Sequence, residues 1–198
     1  METDEKLRAG ICVHFFNEAS IKGKLQLSHY EFDSGIHYHT AYGLIGDESD
    51  PIYVVFAMPH KSDDIYLMIT DGDPSLVAGQ LAALQKYNEE AEHVCLYHTV
   101  PTKSDVFNTN DWIAFLTIRP CTIITTFKDD AEIGDRNFRF RLVIPINAEE
   151  RKLKMESGIE ALMDLFEETK RDVITFEQPE HNKGMQSDRQ KATPFVGG

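Results

Sequence analysis

His29, Glu31, His37 and His39 carry the sharpest chemical signal in this sequence. They flank Asp33-Ser34-Gly35, a turn signal between two stretches of strand-forming residues. A three-residue turn there pairs Glu31 with His37 and His29 with His39, and parity then puts all four on one face of a sheet. Three imidazoles and a carboxylate on one face can hold Zn²⁺ or another divalent ion, which would make the chain a metal-dependent hydrolase. The same residues also suit a solvated polar face with weak His–Glu contacts. A turn one residue shorter would separate the pairs.

Other residues offer less chemistry. His98 precedes Thr99-Val100-Pro101 where a strand enters a loop, and no serine or cysteine with an obvious base partner accompanies it. Its side chain and that of Thr99 suit hydrogen bonds to loop backbone ahead of Pro101. Trp112, the single tryptophan, follows the loop Asn108-Thr109-Asn110-Asp111. Tryptophan is enriched at interface hot spots, so His98, Asn110 and Trp112 are the candidates for touching a partner. Trp112 equally suits a sheet margin or core. Arg139 and Arg141 share a strand face, with Asp129, Asp130, Glu132 and Asp135 as candidate ion-pair partners. That acidic stretch lacks the glycine-centred spacing of a calcium loop. No phosphate loop, dinucleotide glycine pattern or Gly-x-Ser-x-Gly occurs, so no cofactor is expected.

The elements that must position these residues follow from periodicity. Thr3 can cap a first helix carrying Leu7, Ile11, Phe15 and Phe16 as an apolar stripe. Strands are expected over 24–32, 36–45, 52–58 and 65–70. Asp73-Pro74 opens a helix, with aspartate as cap and proline in the first turn, and Val77, Leu81 and Leu84 mark its buried side. Strands follow at 93–98, 112–118 and 121–127. Over 137–146, Phe138, Phe140, Leu142, Ile144 and Ile146 alternate with Arg139, Arg141, Val143 and Pro145, the pattern of a half-buried strand. Asn147 with Glu150 forms a capping-box signal, and Met155, Ile159, Leu162, Met163 and Phe166 follow helical spacing. Residues 177–198 read as a disordered tail in which Thr193-Pro194-Phe195-Val196 is a short apolar spot. Residues 1–176 then form one α+β domain, a mixed, mostly antiparallel sheet with helices packed on it.

Composition narrows the class. The chain of 198 residues is 41% hydrophobic and 27% charged, with a net charge of −13. That charge opposes direct nucleic-acid binding, which needs clustered Lys and Arg, and opposes docking on anionic lipid. It suits solubility and steering toward a basic partner. Cys12, Cys95 and Cys121 form an odd set without a Cys-x-x-Cys, as expected of free thiols in a reducing cytoplasm. The acidic start is unlike a signal peptide, and no apolar run approaches the roughly 18 residues of a membrane span.

Several segments resemble one known family. Leu81-Ala82-Ala83-Leu84, Tyr87, Tyr97-His98-Thr99-Val100-Pro101, Asn108-Thr109 and Ile113-Ala114-Phe115-Leu116 are similar to the middle of bacterial suppressor-of-fused domains. Leu142-Val143-Ile144-Pro145-Ile146, Glu149-Glu150, Leu153-Lys154 and Gly158 through Phe166 are similar to the family's end. Two departures stand out: Tyr97 replaces a glycine before His98, and Asp71-Gly72-Asp73-Pro74 stands where the family has a tryptophan. The resemblance implies a non-enzymatic binding module. Bacterial members look like immunity proteins or antitoxins that neutralise a toxin, often a basic nuclease. A scaffold or regulatory subunit docking through the tail is a further alternative.

Overall fold

The computed structural model describes residues 2–102, 104–122 and 127–174. The expected tail at 177–198, with its apolar spot at 193–196, lies outside these residues, and so does part of the strand expected at 121–127. The elements in chain order are α1 (Glu2–Glu18), β1 (Lys22–Glu31), β2 (His37–Leu44), β3 (Tyr53–Met58), β4 (Asp64–Thr70), α2 (Pro74–Glu90), β5 (Thr99–Pro101), α3 (Asp105–Thr109), β6 (Ala114–Ile118), β7 (Asp130–Ile133), β8 (Arg136–Ile146) and α4 (Ala148–Thr169). The sheet runs β1-β2-β3-β4-β8-β6-β5, with β7 paired to the start of β8. β4 and β8 are parallel, and the other described pairings are antiparallel. The architecture is therefore the expected mixed α+β sheet.

Helices cover both faces. The Phe138, Phe140, Leu142, Ile144 and Ile146 face of β8 packs with Ile11 and Phe15 of α1 and with Leu162 and Phe166 of α4. Val143, on the opposite face, joins Val77, Ala78, Leu81 and Leu84 of α2 and also Phe107 and Trp112. Each fully buried large side chain supplies roughly 1.5–3 kcal/mol. No described helix is long and apolar enough to cross a membrane.

Four expectations need correction. Phe16 and Met155 leave their helical stripes, at 40% and 66% exposure. The cause at Met155 is Gly158, whose φ of 91° and ψ of 177° break α4 into two segments, in a region nearly closed to other residues. Only the second segment brings Leu162 and Phe166 onto the sheet. Residues 93–98 form an irregular loop rather than a strand, and β5 starts at Thr99. The acidic stretch before Arg139 is β7, one arm of a hairpin turned at Gly134, where φ is 69°. α1 already includes Glu2, so Thr3 lies within that helix.

The capping signals hold. Asp73 accepts from the Ser75 N–H at 2.8 Å. Asn147 accepts from the backbone of Glu149 and Glu150, and Glu150 returns a bond to the Asn147 N–H at 2.9 Å.

Candidate functional site

β5 is a sheet edge. It contributes three residues, and Pro101 has no N–H to offer along that edge. Beside it lies a groove of about 740 Å³, walled by Leu84 and Tyr87 of α2, Val100 and Pro101 of β5, Phe115 of β6, and Phe32. Lys86 and Glu90 add opposite charges to the lining. α2 ends beside the groove, where the N–H groups of Ala91 and Glu92 both turn back to the Tyr87 carbonyl. The Tyr87 hydroxyl donates to Glu92 at 2.6 Å, and that bond to an acid, with some burial, holds its phenol above the ordinary value. Burial acts to raise the Glu90 carboxyl. Bonds from Tyr38, Ser34 and Lys86 outweigh it and leave the group below its usual range.

The loop entering β5 is pinned along its length. Val94 is buried and anchors in the α2-side core. Its N–H donates to Asn88 Oδ1 and its carbonyl accepts from the Tyr66 hydroxyl, both at 2.8 Å. The Cys95 carbonyl accepts from Thr117 Oγ1 at 2.7 Å, and the Cys95 N–H donates to His98 Nδ1 at 3.2 Å. His98 thus fixes loop backbone, as its position before Pro101 suggested. The turn carries Tyr97 at φ 65°, in the left-handed region.

This pinning points His93 and Cys95 at one another. Cys95 Sγ lies 3.3 Å from His93 Nδ1, and His93 Nε2 lies 3.1 Å from Asp64 Oδ2. Asp64 is 1% exposed, whereas Cys95 is exposed. Arg139 donates to the same carboxylate oxygen at 2.8 Å, and Arg141 Nε stands 3.2 Å from the other. That last pair is within ion-pair range but misaligned for a hydrogen bond. Asp64 is fixed in turn by its preceding loop, which Glu89 and Arg136 hold: Glu89 accepts from the N–H of His60 and Ser62, and Arg136 donates to the Ser62 carbonyl at 2.7 Å. Burial first, and then the Asp64 charge, push the nearby Tyr66 phenol up.

The sequence-based candidates divide. The hairpin register is the expected one, with His29 opposite His39 and Glu31 opposite His37. The His29 ring is centred 5.9 Å from His37 and 6.3 Å from His39. Among the described residues no group of three His, Cys, Asp or Glu converges to hold a metal ion. His98 is exposed and Asn110 half-buried at the end of α3. Trp112 is fully buried in the α2-side core, with the Arg171 guanidinium 4.6 Å from its ring. It therefore has no surface to present to a partner; its N–H turns back to the Phe107 carbonyl at the end of α3. Arg139 and Arg141 pair with the buried Asp64 rather than with the acidic residues at 129–135; the parallel β4–β8 register sets Asp64 beside Arg139, and Asp130 of β7 lies opposite the same arginine on its other side. Sequence reading missed the Asp64–His93–Cys95 chain. Only the His93-x-Cys95 spacing signalled it; Asp64 is distant in sequence.

Comparison with known proteins adds three findings. The family model described as Suppressor of fused protein (SUFU) matches residues 51–177. Among curated proteins no sequence matches the chain. The fold is similar to the crystal structure of a suppressor of fused homolog from Neisseria gonorrhoeae, with a TM-score of 0.65 and 14% identity, covering 90% of this chain and 96% of that one. It is also similar to a chain in the crystal structure of the Sufu-Fu complex, with a TM-score of 0.63 and 9% identity, covering 97% of this chain and 98% of that one.

Proposed function

This chain belongs to the suppressor of fused family, and from that premise we propose that it works by binding another protein, as an immunity protein or antitoxin that occludes a basic toxin such as a nuclease. The observation that carries the reading is the groove at the β5 edge. Residues of the family-like segments, Leu84, Tyr87, Val100, Pro101 and Phe115, build its apolar wall. A short sheet edge beside an apolar groove suits an extended segment of a partner, whose side chains enter the groove. The solved Sufu-Fu complex supports binding as the mode for this fold. The net charge of −13 supports a basic partner, by steering encounter and by opposing the partner's own field. Free Cys12, Cys95 and Cys121 suit a cytoplasmic setting.

The test is co-expression with the product of the neighbouring gene, followed by calorimetry on the purified pair. Growth rescue and co-purification are expected. Tyr87→Ala, at a groove residue that is 37% exposed, should weaken the complex by about tenfold or more, near 1.4 kcal/mol, while the free protein stays folded by circular dichroism. A complex indifferent to that substitution removes the groove from the interface. An absence of both rescue and co-purification removes the toxin reading.

A further inference from the structure

We propose that Cys95 is a nucleophilic, oxidisable thiol activated by His93, which Asp64 holds in the tautomer that can accept the thiol proton. The inference stands on three independent placements. The first is hydrogen-bond bookkeeping. The Asp64 carboxylate faces the guanidinium groups of Arg139 and Arg141 and can only accept. The imidazole nitrogen 3.1 Å from it must therefore be the protonated one, so His93 carries its hydrogen on Nε2. That leaves the Nδ1 lone pair facing Cys95 Sγ at 3.3 Å. This is the order nucleophile, base, orienting carboxylate on which thiol activation rests.

The second placement is access. Cys95 is exposed, whereas the Asp64 that orients its base is 1% exposed, so a small oxidant can reach the sulfur while the base is held from the buried side. Reactive cysteines sit in partly exposed surroundings of this kind.

The third is rigidity. Val94, between the two residues, has its side chain in the core and both backbone groups bonded, to Asn88 and Tyr66. Cys95 has its N–H on His98 and its carbonyl on Thr117. Two side chains that would rotate freely in a plain loop are held in register, so little ordering remains to be done when the thiol reacts.

The reaction suited to an exposed, activated thiol is with a hydroperoxide. The thiol proton moves to His93 Nδ1. The sulfur attacks one peroxide oxygen, so that an S–O bond forms and the O–O bond breaks. The departing oxygen takes the proton from His93 and leaves as water, or as an alcohol from an alkyl hydroperoxide. Cys95 is oxidised to the sulfenic acid and the peroxide is reduced. Cys121 provides contrast on the same molecule: it is exposed, but its thiol is bonded to the Asp129 carboxylate and pushed up by that bond.

The test uses the free full-length protein in hydrogen peroxide near neutral pH. Loss of free thiol at each cysteine is followed by quenched alkylation and peptide mass spectrometry, with N-acetylcysteine as the reference thiol. Cys95 should react about tenfold faster than the reference or more, and His93→Gln should bring it to about the reference rate. His93 is exposed, so the variant keeps its fold, and an unchanged Cys121 rate confirms this. A Cys95 no faster than the reference overturns the proposal. So does a rate that survives His93→Gln. No partner is present in the assay, so its outcome is separate from that of the binding reading.

Discussion

Glu150 and Asp64 are both buried carboxylates facing arginine, at 5% and 1% exposure, but their surroundings differ at every remaining bond. Glu150 uses one oxygen for Arg171 Nε at 3.0 Å and the other for the Asn147 N–H. Arg171 is equally occupied: its fork also reaches the carbonyls of Pro145 and Asp172, and its plane lies over Trp112 and Phe166. The whole assembly ties the two ends of α4 to β8 and is closed to solvent. Asp64 faces two arginines whose side chains are 47% and 14% exposed, it meets one of them without hydrogen-bond alignment, and its chain of contacts runs out through His93 to an exposed thiol. A carboxylate satisfied on all sides is a staple. A carboxylate whose last partner is a solvent-facing imidazole is a means of orienting a base.

The largest expected effect tests the staple. Glu150→Ala leaves Arg171 charged and buried without its partner, and should lower stability by about 3–5 kcal/mol in urea unfolding. Replacing both residues, Glu150→Leu with Arg171→Met, should recover most of that loss, because an apolar pair of similar volume needs no desolvated charge. A double variant as unstable as the single one would show that the stacking of Arg171 on Trp112 matters more than the ion pair. Next comes Asp64→Asn, expected to lower stability by about 1.5–3 kcal/mol. The loss is smaller because Arg139 can turn to water. A loss equal to that of Glu150→Ala would erase the difference between the two regions.

Acid provides a third measurement, through residues belonging to neither region. Burial, first of all, holds the imidazoles of His14 and His39 below the ordinary 6.5. At His14 the Glu18 charge opposes this and Lys128 adds to it. At His39, Arg8 and the imidazoles of His29, His37 and His60 add to it. Below pH 6.5 the unfolded chain then binds more protons than the folded one, so stability is complete above that value and falls as pH drops through the folded values. Urea midpoints should decline from about pH 7.5 to about pH 5.5, and His14→Leu should flatten the decline. A flat profile in the unsubstituted protein would contradict this. The smallest effect is that of His93→Gln, below roughly 0.5 kcal/mol because the ring is exposed. A larger loss would make the outer end of the Asp64 cluster structural and weaken the contrast.

Local pattern made much of this legible. The Asp73-Pro74 and Asn147/Glu150 caps, the β8 alternation and the His29/His39 register all follow from short-range rules, and the structure has each of them. Signals that depend on a neighbour were misread. The segment at 93–98 has strand-forming residues, but Val94 is held by Asn88 and Tyr66 instead of a strand partner. Trp112 was open between an interface and the core or margin of the sheet, and only the fold places it in the core. The β5 groove was invisible, because its walls come from α2, β5 and β6, brought side by side only by the order of strands in the sheet.

The sequence by itself determined most of the helices and strands, the apolar face of β8 and of α2, and the family, because those depend on spacing along the chain. The tertiary structure alone decided which charges meet. Asp64, His93, Arg139 and Arg141 are gathered by the parallel β4–β8 pairing and by a loop buttoned down at Val94. Electrostatic and proton-transfer chemistry falls off over a few ångströms in space, and separation in sequence carries no record of that distance.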